Sequence, residues 1–131
     1  METKIKITLD GNKKISAQIR EFTLKTDQTA SEGGDNSAPT PFELFLASIG
    51  TCAGFYVASF CQSRSIPTDN ISIIQTVFRD DVTHMVGKIT LDILLPPEFP
   101  EKYKTAVIKA ADTCTVKKHL LAPPEVEIKV N

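Results

Sequence analysis

Nothing in the first residues has the form of a secretion signal: METKIKITLDGNKK alternates polar and apolar residues where a signal would be continuously apolar. Export is not expected, and the cytoplasm is the expected compartment. A dominant charge is missing too. The 131 residues carry 15 basic and 16 acidic side chains, a formal net charge of -1, so no global field draws the chain to nucleic acid or to an anionic membrane. Cysteine is scarce: three residues, an odd number, cannot build the disulfide framework of a small secreted domain, and free thiols are expected. The chain has no G-x-S-x-G, no Walker loop and no G-x-G-x-x-G, and EGGDN lacks the spacing to cradle a phosphate. No C-x-x-C or H-x-x-x-H pair offers the short chelate of a zinc site, so Cys52, Cys61, Cys114 and His119 are not expected to hold a metal, and no cofactor is expected.

What is present fits one domain, residues 1–131, with enough chain for a single core. Ile5, Ile7 and Leu9 alternate with polar neighbours, DGNK supplies turn chemistry, and Ile15, Ala17 and Ile19 resume the alternation, which predicts a hairpin with one dry face. Phe22 and Leu24 extend the pattern. KTDQTASEGGDNSAPT has no periodicity and is predicted to be a long loop.

A helix start follows, with Thr40 as N-cap, Pro41 at the first helical position and Glu43 completing a T-x-x-E capping box. The helix is predicted from Pro41 to about Ser65, where RSIPTDN breaks it. Its apolar run, Leu44 to Cys61, has nearly the length of a membrane span, but Ser48, Gly50, Thr51, Gly54 and Ser59 dilute it and no Lys or Arg flanks its start. A helix covered by protein on most of its circumference is expected, and no membrane partner. A lone small sheet covers one side, so a second subunit is expected to cover the other.

ISIIQTVFR and MVGKITLDILL predict a second hairpin around DDVTH. Beyond the Pro pair, Tyr103, Ala106, Val107, Ala110, Ala111 and Cys114 form one helical stripe, and a short helix TVKKHLL and a last alternating strand VEIKV complete the order. Runs of antiparallel strands without strict βαβ alternation indicate an α+β fold.

Cys52 and Cys61 lie nine residues apart in one helix and point in opposite directions, so they share neither a disulfide nor a metal. Cys61, near the helix end, is expected to be a bystander. By itself Cys52 reads as core filling or as a reactive thiol, since free cysteine is among the most buried residue types. Cys114 stands near a helix N-terminus with Lys117, Lys118 and His119 following, features that favour a thiolate; alternatively it closes the apolar stripe.

GGDNSAPTPFELFLASIGTC, with P-x-E-L followed eight residues after its Leu by Cys52, and the later ADTCTVKKHLL resemble the OsmC/Ohr family of thiol-dependent peroxidases and their relatives. The resemblance covers nearly the whole chain in element order. It implies an intertwined homodimer, with antiparallel sheets wrapped around paired central helices and the active site at the subunit interface. It also implies that Cys52 is the peroxidatic thiol and Cys114 the resolving thiol, acting on a small apolar organic hydroperoxide with an external thiol as reductant. Phe42, Phe45, Phe55 and Tyr56 are candidate walls for the apolar substrate pocket. The best-characterised branch of the family has an Arg where this chain has Leu9 and a Glu where it has Phe42. Glu43, Arg20 and Arg79 are therefore candidate supporting residues, and a non-enzymatic small-molecule-binding protein on the same scaffold is the alternative function. A dimeric structural protein with all three cysteines in the core is the third.

Overall fold

The chain runs β1 (Lys6–Leu9), β2 (Ile15–Ile19), β3 (Phe22–Thr26), α1 (Pro41–Gln62), β4 (Ser72–Arg79), β5 (Val86–Leu94), α2 (Lys104–Asp112) and α3 (Thr115–Leu121), in a computed structural model that describes all residues 1–131. This is the α+β order expected, with two antiparallel sheets, β1-β2-β3 and β4-β5. Backbone contacts fall into two units, Met1–Ala47 and Ser48–Asn131.

In the first unit the β1-β2 turn is closed by the Asp10 N–H on the Lys14 carbonyl at 2.9 Å, with Gly11 (φ 104°) and Asn12 (φ 47°) in left-handed conformations that suit their short side chains. Ile7 pairs with Ala17 and Ala17 with Leu24, while Leu9 pairs with Ile15 and Ile19 with Phe22. Residues directly opposite share a face, so this register gathers the apolar side chains on one side of the sheet. That face is not dry in the single chain: Ile7, Leu9, Phe22 and Leu24 are all exposed.

The aperiodic segment after β3 is ordered by side-chain bonds. Asp27 is fully buried. One carboxylate oxygen accepts the Gln28 N–H at 2.8 Å, and the other accepts the Ser37 hydroxyl at 2.6 Å and the Ser37 N–H at 3.0 Å. Gly34 is packed so tightly that a Cβ there would stand 2.1 Å from the Gln28 carbonyl oxygen; no other residue fits. The loop ends in the capping box, where the Glu43 carboxylate accepts the Thr40 N–H at 2.9 Å and the Thr40 hydroxyl accepts the Glu43 N–H at 3.1 Å.

α1 ends slightly earlier than predicted, at Gln62. Ser65 adopts φ 54°, its N–H bonds the Gln62 carbonyl at 3.2 Å, and the Ile66 N–H reaches back to the Cys61 carbonyl at 2.9 Å. These are the two bonds of a Schellman cap, and Ile66 packs against the core that contains Cys61, completing the motif's apolar contact.

Alternation in β4 and β5 sorts the second sheet. Ile73 pairs with Ile93, Gln75 with Leu91 and Val77 with Ile89 on one face, and Ile73 and Ile93 join the core of Val57, Phe60, Cys61, Phe99 and Val107. Ile74 and Phe78 lie on the opposite face and are exposed. Tyr103, the N-cap of α2, and Ala106, Val107, Ala110 and Ala111 on the helix join the core, following the stripe read from the sequence. The predicted last strand is not formed. Val126, Ile128 and Val130 alternate as a strand would, but the segment has no ladder partner within the chain and all three are exposed.

Hydrogen bonds from the Ser37 hydroxyl and N–H, opposed by burial and joined by the Gln28 and Asp35 N–H groups, lower the Asp27 pKa from 3.8 to about 2. A carboxyl lowered on folding stabilises the fold in full above its unfolded value and ceases to do so as the pH falls through its folded value. Asp27→Asn should therefore be less stable than the parent at pH 6, with the gap closing between about pH 4 and pH 2. Urea unfolding across that range measures it; a gap that does not change with pH would contradict the assignment.

Candidate active site, a thiol pair at the start of a short helix

Cys52 and Cys61 divide as their spacing predicts. Cys61 is completely buried among Val57, Phe60, Phe99 and Val107. Burial raises its pKa, with the Arg64 charge offsetting only part of the effect. Arg64 itself lies over the Phe60 ring at 3.7 Å and donates to the Phe60 carbonyl at 3.0 Å, which closes the end of the helix above that thiol. Cys61 is a core residue.

Cys52 lies on the other side of α1 and is half-buried, and the Cys114 thiol is among the groups that lower its pKa; both are free thiols. Cys114 is held there by three features of its position. It follows the last turn of α2 and continues that helix's buried stripe, its sulfur is the N-cap of α3, accepting the Lys117 N–H at 3.5 Å, and it lies 3.9 Å from the carbonyl of Ile49, one turn before Cys52 on α1. Only 2% of Cys114 is exposed.

The two thiols differ in acidity. Burial pushes the Cys52 thiol up, but the Val116 N–H, the Cys114 thiol and the Thr115 N–H outweigh it, and the net pKa is lowered from 9.0. Cys114 moves the other way. Burial raises it, and so does its hydrogen bond to Cys52, while the Lys117 and Val116 N–H groups offset only part of this. The sequence sees features at Cys114 that favour a thiolate and leaves open that it only closes the apolar stripe; the lowered pKa falls on Cys52, the thiol that the family resemblance implies is peroxidatic. A cap residue lies beside the first N–H groups of its helix, whereas a sulfur brought in from another helix can meet the N–H groups of Thr115 and Val116.

Of the candidate supporting residues, Glu43 is engaged in the capping box. Arg20 belongs to the first unit, where it lies 3.8 Å from Glu21 and over the Phe22 ring. Arg79, at the end of β4, reaches the His84 carbonyl at 3.3 Å. The groups that act on the Cys52 sulfur are neutral, the main-chain N–H groups of Thr115 and Val116 and the Cys114 thiol, and residue-type reasoning missed the first two because main-chain donors leave no trace in residue identity. His119 is exposed and bonds the Thr115 carbonyl at 2.7 Å.

Cys114 also borders a cavity of about 720 Å³ with Ile49, Leu91, Ile108, Leu120 and Lys117 among its walls. These are not the aromatic residues named from the sequence. Phe42 stacks near Phe45 at 5.6 Å in the first unit, and Phe55 packs edge-on against Tyr56 at 5.1 Å in the second.

Native-state labelling resolved by peptide mass spectrometry should follow the acidity order. Cys52, whose pKa is lowered while those of Cys61 and Cys114 are raised, should react with iodoacetamide first, ahead of both other cysteines. Labelling of Cys114 ahead of Cys52 would reverse the assignment.

The fold has counterparts among known proteins. Residues 34–129 match the model of the OsmC-like protein family. No curated protein matches the chain. Among solved structures the fold is similar to a provisionally named osmotic stress induced and detoxification response protein from Psychrobacter arcticus, with 21% identity over 90% of this chain and 88% of that one and a TM-score of 0.76. It is similar to the OsmC-like protein of Mycoplasma pneumoniae, at 15% identity, coverage of 100% and 95%, and a TM-score of 0.71. An organic hydroperoxide resistance protein OsmC from Legionella pneumophila gives 16% identity, coverage of 92% and 89%, and a TM-score of 0.57.

Proposed function

Because the chain belongs to the OsmC-like protein family, we propose that it reduces organic hydroperoxides by a two-thiol mechanism, with Cys52 peroxidatic and Cys114 resolving. The observation that carries this reading is the placement of the second thiol: the Cys114 sulfur caps α3, accepting the Lys117 N–H at 3.5 Å, and lies 3.9 Å from the Ile49 carbonyl, one turn before Cys52, with the Cys52 pKa lowered and that of Cys114 raised. The Cys52 thiolate attacks the terminal oxygen of R–O–OH, the O–O bond breaks, and the alkoxide leaves and takes a proton from solvent. Cys52 is then a sulfenic acid. The Cys114 sulfur attacks the Cys52 sulfur, and the hydroxyl leaves with the Cys114 proton as water, giving a disulfide. Two equivalents of an external thiol restore both cysteines and are themselves oxidised to a disulfide. That cycle needs no cofactor and suits a reducing compartment such as the cytoplasm.

Stopped-flow mixing with cumene hydroperoxide and thiol counting tests the mechanism. Two thiols per chain should be lost, none in Cys52→Ser, and one in Cys114→Ser, whose sulfenic acid dimedone traps. Retention of all thiols at millimolar peroxide would favour the alternative, a binding protein that uses the apolar cavity beside Cys114 without redox chemistry.

The same reading includes a homodimer, the arrangement in which α1 is cased on both sides. α1 is long and apolar enough to cross a membrane by length and composition, with a third of its apolar window buried in the chain. Burial of Ile49, Ala53, Val57, Phe60 and Cys61 marks one side of it as a core helix, and the exposed apolar residues lie on several elements, Phe55 on α1, Ile74 and Phe78 on β4, and Val126, Ile128 and Val130 at the end. A second copy covers such scattered patches, and its sheet edge supplies the ladder that Val126–Val130 lacks. Sedimentation equilibrium should show a dimer at nanomolar concentration, weakened at least tenfold by deletion of residues 125–131, a loss of about 1.4 kcal/mol. A folded monomer would refute it.

A further inference from the structure

The redox chemistry proposed above asks more of α3 than a seven-residue helix provides by itself. Its first two N–H groups help to lower the Cys52 pKa, yet its N-cap is a sulfur, a weak acceptor, whose bond to the Lys117 N–H is 3.5 Å long. Hydrogen bonds weaken steeply with misalignment, so a small drift of α3 would remove what holds the thiolate. Something else has to fasten the start of α3 to the helix that carries Cys52.

Tyr56 is in a position to do so. It is four residues after Cys52 on α1, hence on the same face one turn along, and helical side chains lean toward the preceding turn. Its hydroxyl is 2.8 Å from that of Thr115. Thr115 is the first residue of α3 and, with Val116, one of the two whose N–H groups lower the Cys52 pKa; the preceding Cys114 sulfur lies 3.9 Å from the Ile49 carbonyl, so α1 meets the start of α3 on both sides of Cys52. The Tyr56 ring is set by its edge-on contact with Phe55 at 5.1 Å. One side-chain hydrogen bond thus joins the two helices that carry the sulfur and its donors, at the residue where the donors begin.

We propose that Tyr56 is a positioning residue for the thiol chemistry, its hydroxyl holding Thr115 so that the N–H groups of Thr115 and Val116 stay directed at the Cys52 sulfur. Tyr56 acts through Thr115 and does not touch the reacting atoms. Cys114 is the titratable group that faces Cys52, and Lys117, one turn into α3, has its ammonium paired with Asp112. The assignment rests on Cys52 being the working thiol, but its test does not depend on turnover.

The measurement is the pH dependence of Cys52 labelling by iodoacetamide, read at the Cys52 peptide. Tyr56→Phe keeps the ring and removes only the hydroxyl; it should raise the labelling midpoint by about half a unit, about threefold less thiolate at pH 7. Thr115→Val should give the same shift. The double variant should shift no further than either single one, because all three lose the same bond. Thr115→Ser, which keeps the hydroxyl, should restore the parent midpoint. Unchanged midpoints, a shift in only one of the two single variants, or additive shifts would overturn the proposal. Peroxide consumption is read separately: a parent chain that consumes none loses the peroxidase assignment, while the labelling midpoints still decide the role of Tyr56.

Discussion

The position of the Cys114 sulfur is the constraint on which the second unit's chemistry depends. Three demands meet at one atom: the stripe of α2 must end in something small and apolar, α3 must begin with an acceptor for its orphan Lys117 N–H, and Cys52 must find a donor. Serine would satisfy the second demand but would bring a strongly hydrated hydroxyl into a site that is 98% closed to solvent. Alanine would satisfy the first and abandon the rest. A thiol meets all three because it is nearly apolar yet still donates and accepts weak hydrogen bonds. Burial raises the Cys114 pKa, and its thiol lies 3.9 Å from the Ile49 carbonyl as a donor.

Much of this architecture was legible in residue order. The strand pairs follow from period-two alternation, and the start of α1 follows from Thr40, Pro41 and Glu43, whose capping bonds are present at 2.9 and 3.1 Å. Elsewhere the controlling partner is distant in sequence. The loop after β3 looks structureless because its order comes from Asp27 gripping Ser37 ten residues away, an interaction with no period. Val126, Ile128 and Val130 have the right alternation, but alternation alone does not pair a strand, and the segment joins neither sheet. The lowered Cys52 pKa comes from main-chain N–H groups of α3, more than sixty residues on, which no residue type announces.

The family motif also separates into parts with different duties. In GGDNSAPTPFEL, Gly33 turns through φ 87°, Gly34 clears the Gln28 carbonyl, Asp35 pairs with Lys14 and Ser37 serves Asp27. Pro41 and Glu43 then start α1. None of these residues has to touch a substrate for the motif to be required, since each fixes how the chain enters the helix that carries Cys52. A motif recognised by its cysteine is thus mostly an instruction for building one helix start.

Neutral support for a thiolate differs physically from charged support. A guanidinium stabilises a sulfur anion over several ångströms, with only modest dependence on angle, and loses strength to salt and to exposure. Main-chain N–H donors act only in contact and in line, so their contribution depends on how firmly the helix is held and little on ionic strength. Here the donors belong to α3, which is too short to hold itself in place through its own hydrogen bonds. Its position therefore has to be set from α1, and α1 is itself seated by Ile49, Ala53, Val57, Phe60 and Cys61 in the core. The acidity of Cys52 is in this way tied to the packing of the helix on which it stands: the hydrophobic stripe of α1 places the sulfur, and the same helix, through the Tyr56 hydroxyl, meets the residue that presents the donors.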